Sequence, residues 1–197
     1  MATPIPACRI CGATTLEDIL SLGDLPPVNS FLSDTSEIAR ERRHPLAIVF
    51  CAACTHVQLT HMLDPKDLFT DYIYFSGMSD TVVRWGKTLA ARYARELNLD
   101  GRELVAELAS NDGAILKSFA PHARIYGVEP AQNIAAVANR DGVPTRADFF
   151  DSKLGAALRA EVGPARLIVA RNVVAHVPAV VDFAVGVRNW LADDGIF

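Results

Sequence analysis

Residues 104–113 read Leu-Val-Ala-Glu-Leu-Ala-Ser-Asn-Asp-Gly, an apolar run that breaks abruptly into turn formers. Leu104 to Leu108 has the length and composition of a strand. Ala109 to Gly113 is a small-residue turn. The same unit recurs downstream. Gly113–Ala120 reads as a helix, Arg124–Glu129 as a second strand, Ala131–Arg140 as a helix and Thr145–Phe149 as a shorter strand. A helix over Ser152–Glu161, a strand over Leu167–Ala170 and a helix over Pro178–Ala192 follow. Strands alternating with helices predict a parallel sheet covered on both faces. After the turn Asp193-Asp194-Gly195, the apolar pair Ile196-Phe197 reads as the start of a fifth strand, and the expectation is that this is the front of a longer protein.

Upstream, Val82, Leu89, Tyr93 and Leu97, with Trp85 between, follow helical spacing over Asp80–Leu97, and Ser79 or Asp80 is the candidate N-cap. The aromatic segment of residues 64 to 78 holds Phe69, Tyr72, Tyr74 and Phe75 and reads as a linker into that helix. Three regions are expected: residues 1–63, a connecting segment of 64–100, and the sheet of 101–197.

The first region is marked by its cysteines. All four in the chain, Cys8, Cys11, Cys51 and Cys54, fall into two Cys-x-x-Cys pairs. Each pair lets two thiolates reach one ion from a tight turn, and two pairs complete the closed tetrahedral site of structural zinc. The 39 residues between Cys11 and Cys51 exceed the usual ribbon spacing of about 15–20, so the loop between them is an insertion. It reads as loops and short strands, with Leu46–Phe50 as a strand. His56 and His61 read as surface or supporting residues, since four sulfurs already fill the site. Arg40, Arg42, Arg43 and His44, diluted by Glu37 and Glu41, read as a solvated helix face.

Composition narrows the function classes. Half of the 197 residues are apolar, 21% are charged, and the net charge is −4. The chain can bury a core and lacks the basic footprint of a nucleic-acid binder. The longest apolar run, Pro45–Cys54, has ten residues, about half of a membrane span. The start lacks a basic region followed by an apolar one, so no signal peptide is expected. The working expectation is a cytoplasmic protein whose ligand is a small molecule, with no nucleic acid or membrane partner and an open oligomeric state.

Chemistry-bearing residues collect at the carboxyl ends of the predicted strands, where open α/β sheets bind ligands. The turn after the first strand lacks the Gly-x-Gly-x-x-Gly pattern of nicotinamide enzymes and reads Glu-x-Ala-x-x-x-Gly, from Glu107 to Gly113. Glu129, followed by Pro130, stands where a carboxylate can accept from both ribose hydroxyls. Asp148 and Phe149 stand where an acid meets an adenine amino group and a ring covers its face. The fourth strand ends in Arg171-Asn172, with His176 beyond. Together these features make a nucleoside site.

Glu107-Leu-Ala-Ser-Asn-Asp-Gly113, Gly-Val-Glu129-Pro and Asn172-Val-Val-Ala-His176-Val resemble the class I S-adenosylmethionine-dependent methyltransferases. The paired cysteines, Leu25-Pro-Pro-Val-Asn-Ser30 and Asp71-Tyr-Ile-Tyr-Phe-Ser76 resemble, more narrowly, the sugar C-methyltransferases with an N-terminal zinc-binding domain. The resemblance implies an incomplete Rossmann-like domain behind a small zinc domain, and methylation of a carbon of a nucleotide-linked keto-deoxysugar. It places the methionine part of the cofactor on the turn of Ala109, Ser110, Asn111 and Gly113, with Glu107 before it. It places the ribose on Glu129 and adenine against Asp148 and Phe149. Asn172 would lie beside the sulfonium, His176 would face the sugar, and Tyr72 to Ser79 would fold over the site. His176, Tyr72 and Tyr74 are the candidate catalytic groups, with the choice between the tyrosines open. Trp85 stands where many members have a histidine. The family continues beyond this length, with a Tyr-His-Glu segment and a C-terminal domain. A cofactor-binding but silent fragment, or another small acceptor such as a keto-acid, are the alternative readings.

Overall fold

The computed structural model describes residues 2–70 and 72–197. Asp71, which opens the aromatic motif, and Met1, which opens the stretch read for a signal peptide, lie outside the described residues. The chain forms two compact units, Met1–Leu68 with Pro178–Val181, and Phe69–Val177 with Asp182–Phe197.

The first unit is built on short antiparallel pairings. Strands β1 (Thr3–Pro4), β2 (Leu16–Leu25), β3 (His44–Cys51), β4 (Val57–Leu59) and β5 (His61–Met62) form a two-stranded sheet of β1 with β5 and a three-stranded sheet ordered β2-β3-β4. The predicted strand at Leu46–Phe50 is the middle of β3, and β2 is longer than the loops and short strands expected there. Its register shifts between Asp18 and Leu20 and again between Ser21 and Asp24, and such bulges erase the alternation by which an edge strand is recognised. The basic cluster does not form one helix face. A single 3-10 helix spans Thr35–Arg40, capped by Asp34, while Arg42 and Arg43 follow it and His44 opens β3. Arg43 donates to the Asp24 carbonyl, 3.2 Å away.

The short helix α1 (Pro65–Phe69) leads to α2 (Asp80–Glu96), whose N-cap is Ser79, its hydroxyl accepting from the Val82 amide. The parallel sheet then follows: β6 (Leu104–Leu108), β7 (Arg124–Val128), α3 (Gln132–Arg140), β8 (Thr145–Arg146), α4 (Ser152–Val162), β9 (Ala165–Ala170), α5 (Val180–Trp190) and β10 (Leu191–Ile196). Its order is β10-β9-β6-β7-β8, with every pairing parallel. The doubly covered parallel sheet expected from the sequence is therefore present, but its fifth strand covers Leu191–Ile196, taking in the stretch Asp193–Gly195 read as a turn and cutting the preceding helix back to Trp190.

Successive residues of a strand face opposite sides, and β6 shows the result. Leu104, Ala106 and Leu108 enter one core with Leu158, Phe183, Val187 and Trp190 of α4 and α5. Val105 enters the other, with Ala90 of α2, Phe119 and Ala138 of α3. All five β6 residues are buried, so its carboxyl end opens at the middle of the sheet, flanked by the ends of β7 and β9. Two predicted elements are shorter than expected. The helix over 113–120 is a 3-10 turn, Leu116–Phe119, and the third strand stops at Arg146. Asp148 and Phe149 therefore lie in the loop beyond β8.

Candidate functional site

In the first unit the four cysteine sulfurs all lie within 4.8 Å of one another. Cys8 and Cys54 are 3.6 Å apart, as are Cys11 and Cys51. A regular tetrahedron with Zn–S arms of about 2.3 Å has edges of about 3.8 Å, so this spacing fits a zinc ion. Both pairs are turns of the same construction. The Gly12 amide donates to the Cys8 carbonyl at 2.9 Å, and the Thr55 amide donates to the Cys51 carbonyl at 2.8 Å. Gly12 and Thr55 both take positive φ, 75° and 62°, which brings the chain round after the second cysteine of each pair. Gln58, buried, accepts from the Arg9 amide at 2.8 Å and donates to the Ala7 carbonyl at 3.1 Å, tying β4 to the first turn. The pull of the Cys11 amide, joined by that of Ile10 and opposed by burial, lowers the Cys8 thiol below its ordinary value. His56 supplies its backbone carbonyl to the Cys51 amide. His61 pairs through Nδ1 with the Thr60 hydroxyl at 3.0 Å, outside the sulfur cluster.

In the second unit the turn after β6 is tightly coiled. Ala109, Asn111 and Gly113 have φ of 50°, 53° and 74°, a conformation that asparagine and glycine accept more readily than alanine does. Its amides are largely used internally. Ser110 donates to the Val128 carbonyl at 3.1 Å, Gly113 to the Ser110 carbonyl at 3.0 Å, and Asn111 to Glu129 Oε2 at 2.8 Å. Glu129 Oε1 accepts from the Ala131 amide at 2.9 Å. Each carboxylate oxygen can accept twice, so Glu129 keeps capacity for hydroxyl donors. Burial pushes its carboxyl above the ordinary value, against the pull of the Ala131 and Asn111 amides.

Glu107 lies on the same sheet edge, on the face covered by α2. Burial pushes it up to about 7, against the charge of Arg171 and the Leu116 amide, and the charge of Glu129 adds to the rise. Arg171, one residue past β9, donates through Nε and Nη2 to Glu107 Oε1 at 3.2 and 3.1 Å, and its guanidinium lies 5.4 Å from the centre of the Trp85 ring. Glu107 Oε2 and the Ser110 hydroxyl are buried and have no hydrogen-bond partner among the described residues. The site thus offers a cation, two carboxylates with unused oxygen capacity and a hydroxyl around one turn.

The aromatic segment is held against this turn. Asn111 Oδ1 accepts from the Ser76 amide at 2.7 Å, and its Nδ2 donates to the Tyr74 carbonyl at 2.8 Å. Asp112 Oδ2 accepts from the Gly77 amide at 2.8 Å. The Phe69 ring stands 5.9 Å from that of Tyr72 and 6.3 Å from that of His176, so Tyr72 and His176 join one aromatic cluster. Tyr74 is exposed. Asp148 is exposed and accepts from the adjacent Phe149 amide. Asn172 is exposed with φ 53°, and Pro130 is half-buried beside Glu129.

Arg171 is a site residue with no role assigned from the sequence, and Asn133 on α3, outside the cofactor turn, holds the Tyr72 backbone. Glu107 pairs with Val169 in the β6–β9 register, which puts Arg171 just beyond it at the strand end. A carboxylate in the middle of an apolar central strand was the signal that a cation had to stand nearby.

Residues 8–69 match the family model Methyltransf_13, described as "Putative zinc binding domain". The chain is similar to the C-methyltransferase NovU of Streptomyces niveus, 34% identical over 195 residues, an alignment covering 98% of this chain and 46% of that protein. It therefore spans about half the length of this relative. Solved structures give weaker likenesses. The magnesium protoporphyrin IX methyltransferase ChlM from Synechocystis PCC 6803 with bound SAM has a TM-score of 0.44 and 13% identity over 64% of each chain. A SAM-dependent methyltransferase from Geobacter sulfurreducens with S-adenosyl-L-homocysteine has a TM-score of 0.44 and 16% identity over 68% of this chain and 53% of that one. Among the described residues, no helix is long and apolar enough to cross a membrane.

Proposed function

We propose that this chain is the zinc-bearing, cofactor-binding part of a class I S-adenosylmethionine-dependent methyltransferase, and that the acceptor is a carbon of a nucleotide-linked keto-deoxysugar. The observation that carries the reading is the convergence of Glu107, Arg171, Ser110 and Glu129 on the turn at the end of the central strand. The similarity to a C-methyltransferase along nearly the whole chain supports carbon as the acceptor atom. The sugar itself rests on the resemblance of the cysteine pairs and the Tyr-x-Tyr segment.

The residues present suit the cofactor. Its amino-acid end is a zwitterion, and here a buried carboxylate with one unused oxygen stands beside a guanidinium. Its ribose carries two hydroxyls, and Glu129 has acceptor capacity for both. Pro130 follows Glu129 directly, Asp148 and Phe149 are the candidate adenine contacts on the β8 loop, and Asn172, two residues past β9, is the candidate neighbour of the sulfonium. S-adenosylmethionine supplies an electrophilic methyl group when bound. A proton α to a ketone is too weakly acidic to leave unaided, so a base must take it while donors stabilise the enolate oxygen. His176 is the candidate base at its imidazole. Tyr72, sharing Phe69 with it, is the better placed of the two tyrosines to orient the sugar. Zinc at Cys8, Cys11, Cys51 and Cys54 is closed to substrate and serves the fold.

The test is calorimetric titration of the zinc-loaded chain with S-adenosylmethionine, with Glu129→Gln as control. Saturable binding that weakens at least tenfold in the variant is expected. A folded, zinc-loaded chain that binds no cofactor overturns the reading.

A further inference from the structure

The geometry points to Asn111 as a positioning residue that couples the cofactor turn to the tyrosine segment, an inference resting on the cofactor placement proposed above. One residue makes both connections. Its backbone amide donates to Glu129 Oε2, the carboxylate assigned to the ribose. Its side chain holds the backbone of a segment about 35 residues away, accepting from the Ser76 amide and donating to the Tyr74 carbonyl. A carboxamide offers a donor and an acceptor a short distance apart, as the backbone of a neighbouring strand does, so it can hold a strand-like segment where no strand is present.

The other fastenings follow the same logic. Asp112 Oδ2 holds the Gly77 amide, and Asn133 on α3 accepts from the Tyr72 amide at 3.3 Å and donates to the Tyr72 carbonyl at 2.8 Å. The Gln132 amide donates to the Thr70 carbonyl at 3.2 Å. The segment is thus fixed through its backbone at Tyr72 on one side and at Tyr74 to Gly77 on the other, while the Ile73 and Tyr74 side chains stay exposed between the fastenings. Only the second fastening belongs to the cofactor turn.

Asn111 also has the backbone for the task. At φ 53° most residues are strained, whereas asparagine tolerates the left-handed region. A ligand that fixes Glu129 and the turn fixes Asn111, and through it the backbone of Tyr74 and Ser76. By reciprocity, a segment held in place must tighten the ligand by the same factor.

The experiment is hydrogen exchange on the full 197-residue, zinc-loaded chain with and without S-adenosylhomocysteine, alongside calorimetric titration with the same compound. In the wild type, ligand should slow exchange of the Ser76 and Gly77 amides at least tenfold. Asn111→Gly removes the side chain and keeps the φ allowed. It should abolish that ligand-induced protection at Ser76, whose amide Asn111 holds, and weaken binding about fivefold or more, while the Leu104–Leu108 amides stay as protected as before. Asn133→Ala should speed exchange at Tyr72 and leave ligand affinity within about twofold. If Asn111→Gly also loses protection in β6, Asn111→Asp decides. It keeps the acceptor for Ser76, loses the donor to Tyr74, and should raise exchange across residues 74–77 with β6 intact. Wild-type chain that binds ligand with no change in the segment, or either Asn111 variant that keeps the ligand-induced protection, overturns the coupling. Absence of any wild-type binding in the calorimeter is the separate failure of the functional reading, and the coupling falls with it.

Discussion

Replacing Glu107 by glutamine should remove most of the pH dependence of stability of the second unit between pH 5 and 8. The carboxyl is raised from its ordinary 4.5 to about 7, chiefly by burial. Between those values the folded chain holds a proton that the unfolded chain has released, so stability must fall as pH rises through the window. At about 1.4 kcal/mol for each tenfold in proton affinity, the full effect is about 3 kcal/mol, of which about 2 to 3 kcal/mol falls between pH 5 and 8. Glu129 is raised by burial too and acts in the same direction. The carboxylates of Asp34, Asp100 and Asp182 are lowered and titrate below the window. The assay is urea unfolding at constant saturating zinc, followed by the emission of Trp190, which is fully buried in the core of the second unit. Wild type should lose midpoint steadily from pH 5 to pH 8, whereas Glu107→Gln should keep only the shallower slope that Glu129 leaves and be the more stable protein at pH 8. Parallel curves for the two proteins would refute the argument, because Glu107 would then ionise in the fold at no cost and Arg171 would balance its burial completely.

Three further substitutions test other parts of the structure. Gly12→Ala meets no atom within 4 Å but forces a side chain onto φ 75°, so its cost of about 1–2 kcal/mol is conformational and should appear as faster loss of zinc to a chelator. Gln58→Ala removes two hydrogen bonds from a buried position and should destabilise the first unit by about 2 kcal/mol, read as faster amide exchange at the first cysteine turn. Gly113→Ala is worse placed, since its φ is 74° and the new methyl would stand 2.8 Å from Val143 Cγ1. A loss of about 2–4 kcal/mol is expected in urea unfolding, together with weaker binding of S-adenosylmethionine.

The sheet was legible because its information is local. Each strand of the parallel sheet is a short apolar run ended by turn formers, and each helix carries its apolar residues at helical spacing, so order and type follow from periodicity alone. Metal ligands were legible for the same reason, since a Cys-x-x-Cys turn writes half of a tetrahedral site into four consecutive residues. Where local rules failed, a competing local constraint was at work. The bulges of β2 broke its alternation, and the coiled turn through Gly113 used the residues that a helix over 113–120 needed for its first turn. The chain leaves the sheet after Arg146, which cuts the third strand to Thr145–Arg146.

The long-range contacts around the candidate site are of another kind. Arg171 meets Glu107 across 64 positions of sequence, and Asn133 meets Tyr72 across 61. Neither leaves a periodic trace, because each depends on which strand and helix ends the topology brings together. What the sequence does record is the need for such partners. A glutamate within Leu-Val-Ala-Glu-Leu cannot be buried on a central strand without a cation or a proton, and both answers are visible, Arg171 at 3.1 Å and a carboxyl raised to about 7. An asparagine at positive φ, in a turn where Ala109 and Gly113 two residues to either side also take positive φ, is a residue chosen for its backbone. The side chain it brings to that backbone is then available to hold the segment that carries the tyrosines, which is why one substitution, Asn111→Gly, can separate the two roles.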